Sequence, residues 1–309
     1  MAKLRTDPIA VADVREFVED HSDFEFELSV YNQLTKLGFA CDHGGTYTDP
    51  LTEKIRQFDI RATWTDQSQW LLPHEQIRLA VECKQLRDNF PLVIHTVPRK
   101  FDEGIHDVLL SVNPDQFRLL TKEEITVPAY VPRAMKWKVA GRFSIYNEEQ
   151  PVGKSCAQVG RNQSGITSTD SEVFSKWTQA ISSAQVLADQ ACEEGARQEY
   201  RGALTTLILP VVVVPNGRLW TVHFNADGSL DAEPQQVIRC PYWINSTFEC
   251  GDRLTGFSYT LSHLEFVTTD GLTELVGDLM AEMNREDYFA RGSLKRILGL
   301  ETGVSPAYW

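Results

Sequence analysis

The sequence lacks several features that mark common classes of protein. None of its apolar runs reaches the roughly 18 residues that a membrane-spanning helix needs, and residues 1–6 do not resemble a basic and then apolar secretory leader. We therefore expect a soluble, cytoplasmic protein without a membrane partner. With 309 residues, 42% of them hydrophobic, the chain is long enough for one large domain or two small ones.

Motifs of several enzyme and metal-binding classes are also missing. The six cysteines include no Cys-x-x-Cys pair, and the seven histidines show no metal-ligand spacing on a common helix, so we expect reduced thiols and no zinc site. No Gly-x-Ser-x-Gly elbow and no dinucleotide fingerprint occur. Residues 152–155 resemble the end of a phosphate-binding loop, but Glu148 stands where that motif requires its first glycine. The enzyme classes that these motifs identify find little support.

Positive charge is scarce, since 30 Lys and Arg oppose 43 Asp and Glu, for a formal net charge of −13. This balance argues against a protein that coats nucleic acid nonspecifically, although a local positive groove would still bind it. The densest basic stretch is residues 131–143, where cations are interleaved with an aromatic ring. Its candidate nucleic-acid-binding residues are Arg133, Lys136, Trp137, Lys138 and Arg142. Interleaving of this kind suits phosphate contact and base stacking, but an exposed basic strand would show the same pattern.

Two alternating stretches, residues 55–64 and 77–84, predict the long β-hairpin around which the chain is organised. In one register the hairpin has a uniformly apolar face. That face pairs Phe58 with Cys83, Ile60 with Val81, and Ala62 with Leu79. A slip of one residue would scatter apolar side chains over both faces, so the hydrophobic pattern predicts this register.

The opposite face of the predicted hairpin is polar. In the same register Gln57 opposes Lys84, and Asp59 opposes Glu82. Two carboxylates directly across a strand pair repel each other unless something compensates. Magnesium is typically held by one or two carboxylates together with waters and phosphate oxygens, and an adjacent ammonium can hold and polarise a water. This face therefore predicts a site for phosphodiester hydrolysis.

These residues resemble the PD-(D/E)xK nuclease superfamily, whose core is the restriction-endonuclease-like fold. The resemblance rests on Asp59 within an apolar strand and on the Glu82-Cys83-Lys84 run that ends the next one. Upstream, residues 26–39 are similar to the first helix of Mrr-like members, in which a glutamate, here Glu27, precedes a helix ending in Gly-Phe. The resemblance covers residues 23–88, and the proline of the motif name is replaced by Phe58.

The resemblance implies a role for each residue that matches the motif. Asp59, Glu82 and the main-chain carbonyl of Cys83 would bind Mg²⁺ or Mn²⁺, Lys84 would orient the attacking water, and Glu27 would support the site. An ordinary alternative exists for each side chain. Glu82 and Lys84 could form a solvated ion pair beside an exposed Asp59, and Glu27 could be a helix-dipole partner.

A strong amphipathic pattern predicts a helix over residues 171–192. Lys176 and Gln179 lie off its apolar stripe. The resemblance makes both accessory site candidates, because the superfamily core places a helix after the Glu-x-Lys strand, although the pattern favours solvated positions on the helix surface.

We expect an α/β fold with a restriction-endonuclease-like core, in which helices flank a mixed central sheet. The predicted organisation is a single domain, 1–309, with its core at 8–90 and 166–226. A large insertion follows the Glu-x-Lys strand at 91–165, and a β/α extension occupies 227–309.

Other elements follow from periodicity and turn residues. We expect a short helix packed on the core at 8–21, a helix capped by Ser22 or Asp23 that ends at Gly38, and a loop at 39–54. A doubly covered strand at 204–215 should pair with a hairpin partner at 218–224. The remaining expectations are short strands within 229–268, helices at 271–280 and 291–300, and a tail at 301–309.

The expected function is a Mg²⁺-dependent endonuclease that acts on nucleic acid, with DNA favoured over RNA. A role in phage defence or restriction rests on analogy between folds alone. One alternative is a non-cleaving nucleic-acid-binding or assembly module with a nuclease-like fold, and another is a nuclease for RNA or branched DNA. Sequence specificity, oligomeric state and a partner protein are left open.

Overall fold

The computed structural model describes residues 7–20, 22–65, 74–111, 133–138, 146, 150–169, 171–196, 204–250 and 257–283. Within these ranges the protein is an α/β protein with a large mixed central sheet and four α-helices. The helices are α1 (Val11–Asp20), α2 (Phe24–Lys36), α3 (Ser171–Ala196) and α4 (Thr269–Met283). No helix in the described ranges has both the length and the apolar character needed to cross a membrane.

Thirteen strands in the described ranges form the sheet. They are β1 (Ala40–Thr48), β2 (Ile55–Thr65), β3 (His74–Cys83), β4 (Leu92–Val97), β5 (Ile105–Ser111), β6 (Arg133–Lys138), β7 (Val152–Asn162), β8 (Gly165–Thr169), β9 (Leu204–Val214), β10 (Leu219–His223), β11 (Gln235–Gln236), β12 (Arg239–Cys250) and β13 (Phe257–Thr268). Their order is β1-β2-β3-β9-β13-β12-β7-β4-β10-β11. Strand β5 pairs with β9 and β6, and β8 pairs with β7.

Strand β9 lies at the centre of the sheet and is buried along its whole length. It pairs in parallel with β3 on one side and with β13 on the other. Because β9 is covered on both faces, nearly every position is apolar, which explains the continuous run Leu-Ile-Leu-Pro-Val-Val-Val-Val in the sequence. The prediction of a doubly covered central strand is confirmed.

Helices cover both faces of the sheet. On one face, Val30 and Leu34 of α2 and Leu272 and Leu275 of α4 pack with the apolar side of the hairpin. On the other face, α3 packs its small apolar residues, including Ala184, on Ala80, Ile208 and Leu261. Residues that alternate along β9 point to opposite faces and so enter different core clusters.

The predicted register of the hairpin is confirmed. Strands β2 and β3 pair antiparallel from Ile60 opposite Val81 to Thr65 opposite Gln76, and Ala62 lies opposite Leu79. All the residues of the predicted apolar face are buried. On the polar face, Arg61, Arg78 and Glu82 are also buried, whereas Gln57 is exposed.

The prediction of a loop at 39–54 is wrong for most of that range, because residues 40–48 form the edge strand β1, antiparallel to β2. The misleading signal is the pair Gly44-Gly45. Gly45 lies opposite Phe58, and a Cβ at that position would lie 2.6 Å from the ring. Glycine is therefore needed within a strand, as occurs where another group approaches the backbone closely.

Two further pairing predictions are wrong. Residues 219–223 do not form a hairpin with β9, because β3 and β13 occupy both edges of that strand. Instead, β10 pairs in parallel with β4 and antiparallel with β11. Residues 229–268 include the two twelve-residue strands β12 and β13, which pair antiparallel, rather than only short pieces.

Helices α1, α2 and α4 lie where the sequence predicts them, but α1 does not pack on the core as predicted. Its apolar residues are exposed, from 37% for Val18 to 81% for Val11. Helix α2 begins after Asp23 and ends before Gly38, whose φ is +92°. The predicted helix at 291–300 and the tail at 301–309 lie outside the described residues.

The range 91–165, which the sequence predicts to be an insertion, contributes strands to the central sheet. Strands β4 and β7 pair with each other within it, β10 joins the outer edge of β4, and β12 pairs with β7. The mixed sheet flanked by helices is confirmed, and the described part of 91–165 is continuous with it.

Candidate functional site

The two carboxylates predicted from the hairpin lie together where β2 meets the end of β3. The main-chain N–H of Cys83 donates a hydrogen bond of 2.7 Å to Asp59 Oδ2. Asp59 lies directly before the first residue of the β2–β3 ladder, at the level of Glu82. Pairing of Glu82 with Val212 of β9 fixes the height of its side chain along the sheet.

Helix α3 brings a cation to both carboxylates. Lys176 Nζ lies 2.5 Å from Asp59 Oδ2 and 3.2 Å from Glu82 Oε2. The lysine named as an accessory candidate is therefore the one that contacts the carboxylates. Burial by itself would lower the pKa of Lys176, but the charges of Glu82 and Asp59 outweigh burial and raise it, so this ammonium stays protonated.

Glu82 is almost completely enclosed, with 1% of its surface exposed. Burial raises the pKa of Glu82 well above its ordinary value, and the charge of Asp59 raises it further. Glu82 Oε1 is buried and has no hydrogen-bond partner among the described residues. An unpaired carboxylate oxygen in the protein interior is costly, so this atom marks a place where a further positive or hydrogen-bonding group would stabilise the structure.

Glu27 lies in the first turn of α2, close enough to Asp59 for the charge of Asp59 to change its pKa. Burial raises the pKa of Glu27, and the charge of Asp59 raises it further. Its Oε2 lies 3.7 Å from His43 Nε2 on β1. The structure therefore brings Glu27 near the carboxylates of Asp59 and Glu82, and these two contact the ammonium of Lys176.

Lys84, the lysine of the predicted motif, makes a different contact. Its Nζ lies 3.6 Å from Asp23 Oδ2, and its main-chain N–H donates to the carbonyl of Val213. The sequence suggested that the Asp23 side chain caps α2, but it does not. Instead, its Oδ1 accepts a hydrogen bond of 2.8 Å from the N–H of Gln85. Lys84 thus lies beside the carboxylate cluster, at the start of the loop that leaves β3.

The donor set suits a hard divalent cation better than a soft one, because it consists of carboxylate oxygens. Asp59, Glu82 and the carbonyl of Cys83 are the groups that would hold Mg²⁺, which usually keeps several waters and takes one or two carboxylates from the protein. The unpartnered Oε1 of Glu82 fits such an ion. In the described ranges no group of three or more His, Cys, Asp or Glu side chains is placed so that it could hold a metal ion by itself, so waters and substrate oxygens would have to supply the other ligands.

The basic stretch lies in the same sheet as the carboxylates but not next to them. Residues 133–138 form β6, which pairs with β5, and β5 pairs with the beginning of β9. Three strand spacings of about 4.8 Å therefore separate β6 from β3. Arg133, Lys136, Trp137 and Lys138 share that strand, and Arg142 lies outside the described residues.

Helix α3 makes polar contacts with the polar face of the β2–β3 hairpin that the sequence did not predict. Arg61 Nε donates to Ser183 Oγ at 3.1 Å, and the buried Arg78 forms an ion pair with Glu194. Lys176, Ser183 and Glu194 are seven and eleven residues apart, so they lie on one side of the helix. That spacing is a signal in the sequence that indicates a polar helix face opposite a polar strand face.

Gln179 has a role other than the one the sequence suggested, and Tyr47 has one that the sequence did not predict. The main-chain carbonyl of Gln179, rather than its side chain, accepts a hydrogen bond of 3.2 Å from Tyr47 Oη. Tyr47, from the unpredicted strand β1, is buried, and burial together with the charge of Glu82 raises its pKa to about 12. Tyr47 therefore remains a neutral hydrogen-bond donor that links β1 to α3 beside the carboxylates.

The six cysteines are free thiols, of which Cys83, Cys192, Cys240 and Cys250 are buried. Comparisons of the chain with protein-family models, with curated proteins and with solved structures gave no match.

Proposed function

We propose that this protein is a Mg²⁺-dependent nuclease that hydrolyses phosphodiester bonds, with DNA as the favoured substrate and the carboxylates of Asp59 and Glu82 at its centre. The observation that carries the proposal is the unpartnered, buried Oε1 of Glu82 beside a second carboxylate. Two carboxylates share the ammonium of Lys176, and Glu27 lies near enough for the charge of Asp59 to raise its pKa. This excess of negative charge favours an added cation.

The side chains supply complementary roles in hydrolysis. Lys176 remains protonated, so it can donate hydrogen bonds to the non-bridging oxygens of the phosphate and neutralise the charge that develops there. Glu27 has a raised pKa, which makes it a stronger base than an ordinary glutamate and suits it to accept a proton from the attacking water. Bound Mg²⁺ would supply Lewis-acid polarisation of the phosphate and acidify a bound water.

The roles of the two lysines therefore differ from those that the motif implies. Lys84 is held 3.6 Å from Asp23, whereas Lys176 lies 2.5 Å from Asp59. We assign Lys176 the part of the catalytic ammonium and Lys84 a part in binding the substrate strand near the site. This assignment predicts that Lys176→Met abolishes cleavage, while Lys84→Met lowers the rate by weakening substrate binding and leaves a measurable rate at saturating substrate.

A second candidate function is a non-cleaving nucleic-acid-binding or assembly module. The observation that favours it is the Lys176 ammonium itself, because it already bridges the two carboxylates and compensates part of their charge without a metal. In that case Lys176 holds α3 on the sheet and no reaction takes place.

The deciding experiment incubates the protein with supercoiled plasmid, linear duplex DNA, branched DNA, single-stranded DNA and RNA, in Mg²⁺, Mn²⁺ or EDTA. Glu82→Gln is the test variant and Glu265→Gln its matched control. Both glutamates are buried, but Glu265 pairs with Val211 and Glu82 with Val212, so they point to opposite faces of the sheet.

Metal-dependent cutting by the wild type and by Glu265→Gln, lost in a folded Glu82→Gln protein, would support the nuclease. The substrates that are cut would then identify its class. Absence of cutting on every substrate, together with metal-independent binding that Asp59→Ala leaves unchanged, would reject the nuclease in favour of the binding module.

A further inference from the structure

A pocket of about 420 Å³ opens beside the carboxylate cluster. Its size lies within the range of small-molecule and cofactor sites, roughly 300–1,000 Å³. One wall is the loop that leaves β3, another is the hairpin of β7 and β8, and the start of α2 closes the side nearest the carboxylates. The lining side chains used below are those of Asp23, Lys84, Arg87, Phe90 and Arg161.

The charge of this pocket is opposite to that of the whole chain. Three cationic side chains, Lys84, Arg87 and Arg161, line it, against the single carboxylate of Asp23. The protein as a whole carries a formal net charge of −13. A concave positive surface on an acidic protein attracts anions locally, because the low-dielectric walls of a cleft concentrate the field of its charges.

A turn in the loop that leaves β3 places Arg87 and Phe90 in the wall of the same pocket. The N–H of Phe90 donates to the carbonyl of Arg87 at 3.0 Å, which closes a turn and brings these two residues to the same pocket. The ring of Phe90 lies directly on Gly160 of β7, where a Cβ would be only 2.4 Å from the ring. Glycine at that position lets the ring form part of the pocket wall beside Arg161.

The pocket lies next to the carboxylates, on the side where Lys84 and Asp23 meet. Lys84 lies in its wall and contacts Asp23, whose charge also raises the pKa of Glu27. Asp23 and Asp59 both lie near enough to Glu27 to raise its pKa, so the pocket adjoins the site. A nucleic-acid strand with one phosphate at Asp59 and Glu82 would extend into this pocket with a neighbouring phosphate.

We infer that the pocket lined by Lys84, Arg87, Phe90 and Arg161 binds a phosphate group of the substrate strand, with the adjoining sugar or base against the ring of Phe90. This inference rests on the proposed function, since it gives the nuclease site a second phosphate contact. Arginine suits the role because its planar group donates two parallel hydrogen bonds to a phosphate. Aromatic rings stack on bases of any sequence, so the contact would not select sequence.

The phosphate in the pocket could come from either of two places on the strand, an internal phosphodiester or a 5′-terminal phosphate. The experiment measures binding by fluorescence anisotropy in EDTA, so that no cleavage occurs. The probes are a labelled single-stranded oligonucleotide with a 5′-phosphate, the same oligonucleotide with a 5′-hydroxyl, and a closed circle. Stronger binding of the 5′-phosphate form identifies the terminal source, and equal binding of all three identifies the interior source. Either outcome supports the phosphate pocket when the arginine variants described next weaken that binding.

The test variants are Arg161→Ala and Arg87→Ala, and the matched control is Lys100→Ala. Lys100 is an exposed cation that follows β4, whose Val97 pairs with Val152 at the far end of β7. Nine residues of β7 separate Val152 from Arg161, which is about 30 Å. The control therefore removes the same charge from the same protein without touching the pocket.

Each test variant should weaken binding about tenfold, as expected for loss of a charge-assisted contact. Loss of one phosphate contact should also reduce the slope of log K against log salt by about 0.7 for a single strand. Lys100→Ala should bind as the wild type does. Wild-type affinity and salt slope in both test variants would overturn the inference, whatever the cleavage assay shows.

The two proposals fail separately. If no substrate is cut but Arg161→Ala and Arg87→Ala weaken binding, the pocket stands and the nuclease does not. If Glu82→Gln abolishes cleavage while both arginine variants bind normally, the nuclease stands and the pocket does not.

Discussion

The main-chain N–H of Cys83 donates a hydrogen bond of 2.7 Å to the side chain of Asp59, at the point where the β2–β3 ladder ends. At the end of the ladder, a side-chain oxygen therefore accepts the hydrogen bond that a main-chain carbonyl would otherwise accept. The same oxygen, Oδ2, accepts a hydrogen bond from Lys176. Asp59 thus connects the sheet backbone to α3, and its position is fixed by the fold rather than by a mobile loop.

Lys176→Met should destabilise the protein by about 3 kcal/mol in the absence of metal, because it leaves two carboxylates without their cation. This loss of folding stability should become larger as the pH rises. The folded-state pKa of Glu82 is raised, so the stability that its protonation contributes is present at low pH and is lost as the pH rises through that pKa. Without Lys176 this pKa rises further.

Urea unfolding at about pH 5 and about pH 8 would measure this effect. The difference in stability between wild type and Lys176→Met should be larger at the higher pH. Adding Glu82→Gln to Lys176→Met should remove much of the pH dependence, because the buried acid is then neutral. A difference that does not change with pH would contradict a direct charge interaction between Lys176 and Glu82.

Mg²⁺ should raise the melting temperature of the wild type, because an ion that binds the folded state alone stabilises it by mass action. The increase should be greater for Lys176→Met, in which the ion replaces the missing cation, and absent for Glu82→Gln. Differential scanning fluorimetry with Mg²⁺, with Mn²⁺ and with EDTA would test this. Equal shifts in all three proteins would show that the ion binds elsewhere.

Gly271→Ala and Gly277→Ala should have opposite effects, although both lie on α4. A Cβ at Gly271 would lie 1.8 Å from the main-chain oxygen of Ile238, whereas nothing lies within 4 Å of one at Gly277. We expect Gly271→Ala to cost about 3 kcal/mol through overpacking against a backbone that cannot yield. Gly277→Ala should add about 0.5–1 kcal/mol, since alanine favours a helix interior.

Chemical denaturation of these two variants therefore tests how α4 packs on the sheet. Similar stabilities would mean that the close approach of α4 to Ile238 is absent in solution.

Val14→Ser should change stability by less than about 0.5 kcal/mol, because Val14 of α1 is 51% exposed. Leu34→Ala, at a fully buried position of α2, should cost about 2–5 kcal/mol. Parallel thermal or urea unfolding would compare them. A loss for Val14→Ser comparable to that for Leu34→Ala would place α1 against the core, as its amphipathic pattern alone predicts.

The sequence predicted the hairpin because its two faces differ so sharply. The apolar set around Ile60 and Val81 fits one register alone, and that register is observed. The helices were equally clear, since apolar residues recur at helical spacing and turn residues mark their ends. Asp59 and Glu82 could therefore be placed together from the sequence.

The partners of those two carboxylates could not be predicted in the same way. Lys176 reaches them from 117 residues beyond Asp59. The spacing of Lys176, Ser183 and Glu194 indicates a polar side of α3, but it does not specify which strands that side will face. Strand β1 was missed because Gly45 makes room for the ring of Phe58, a requirement that exists only after the two strands have paired. Exposure of α1 was missed because an amphipathic pattern does not identify the surface that covers it.

Strand β9 also determines when the site can form during synthesis. Asp59 and Glu82 are synthesised before Lys176 and before β9, the parallel partner of β3. A nascent chain that ends before residue 204 would present an open edge of β3, which is prone to pair with other chains. Such a chain would also lack the strand that fixes Glu82. Truncated products of this protein should therefore aggregate rather than assemble the carboxylate site.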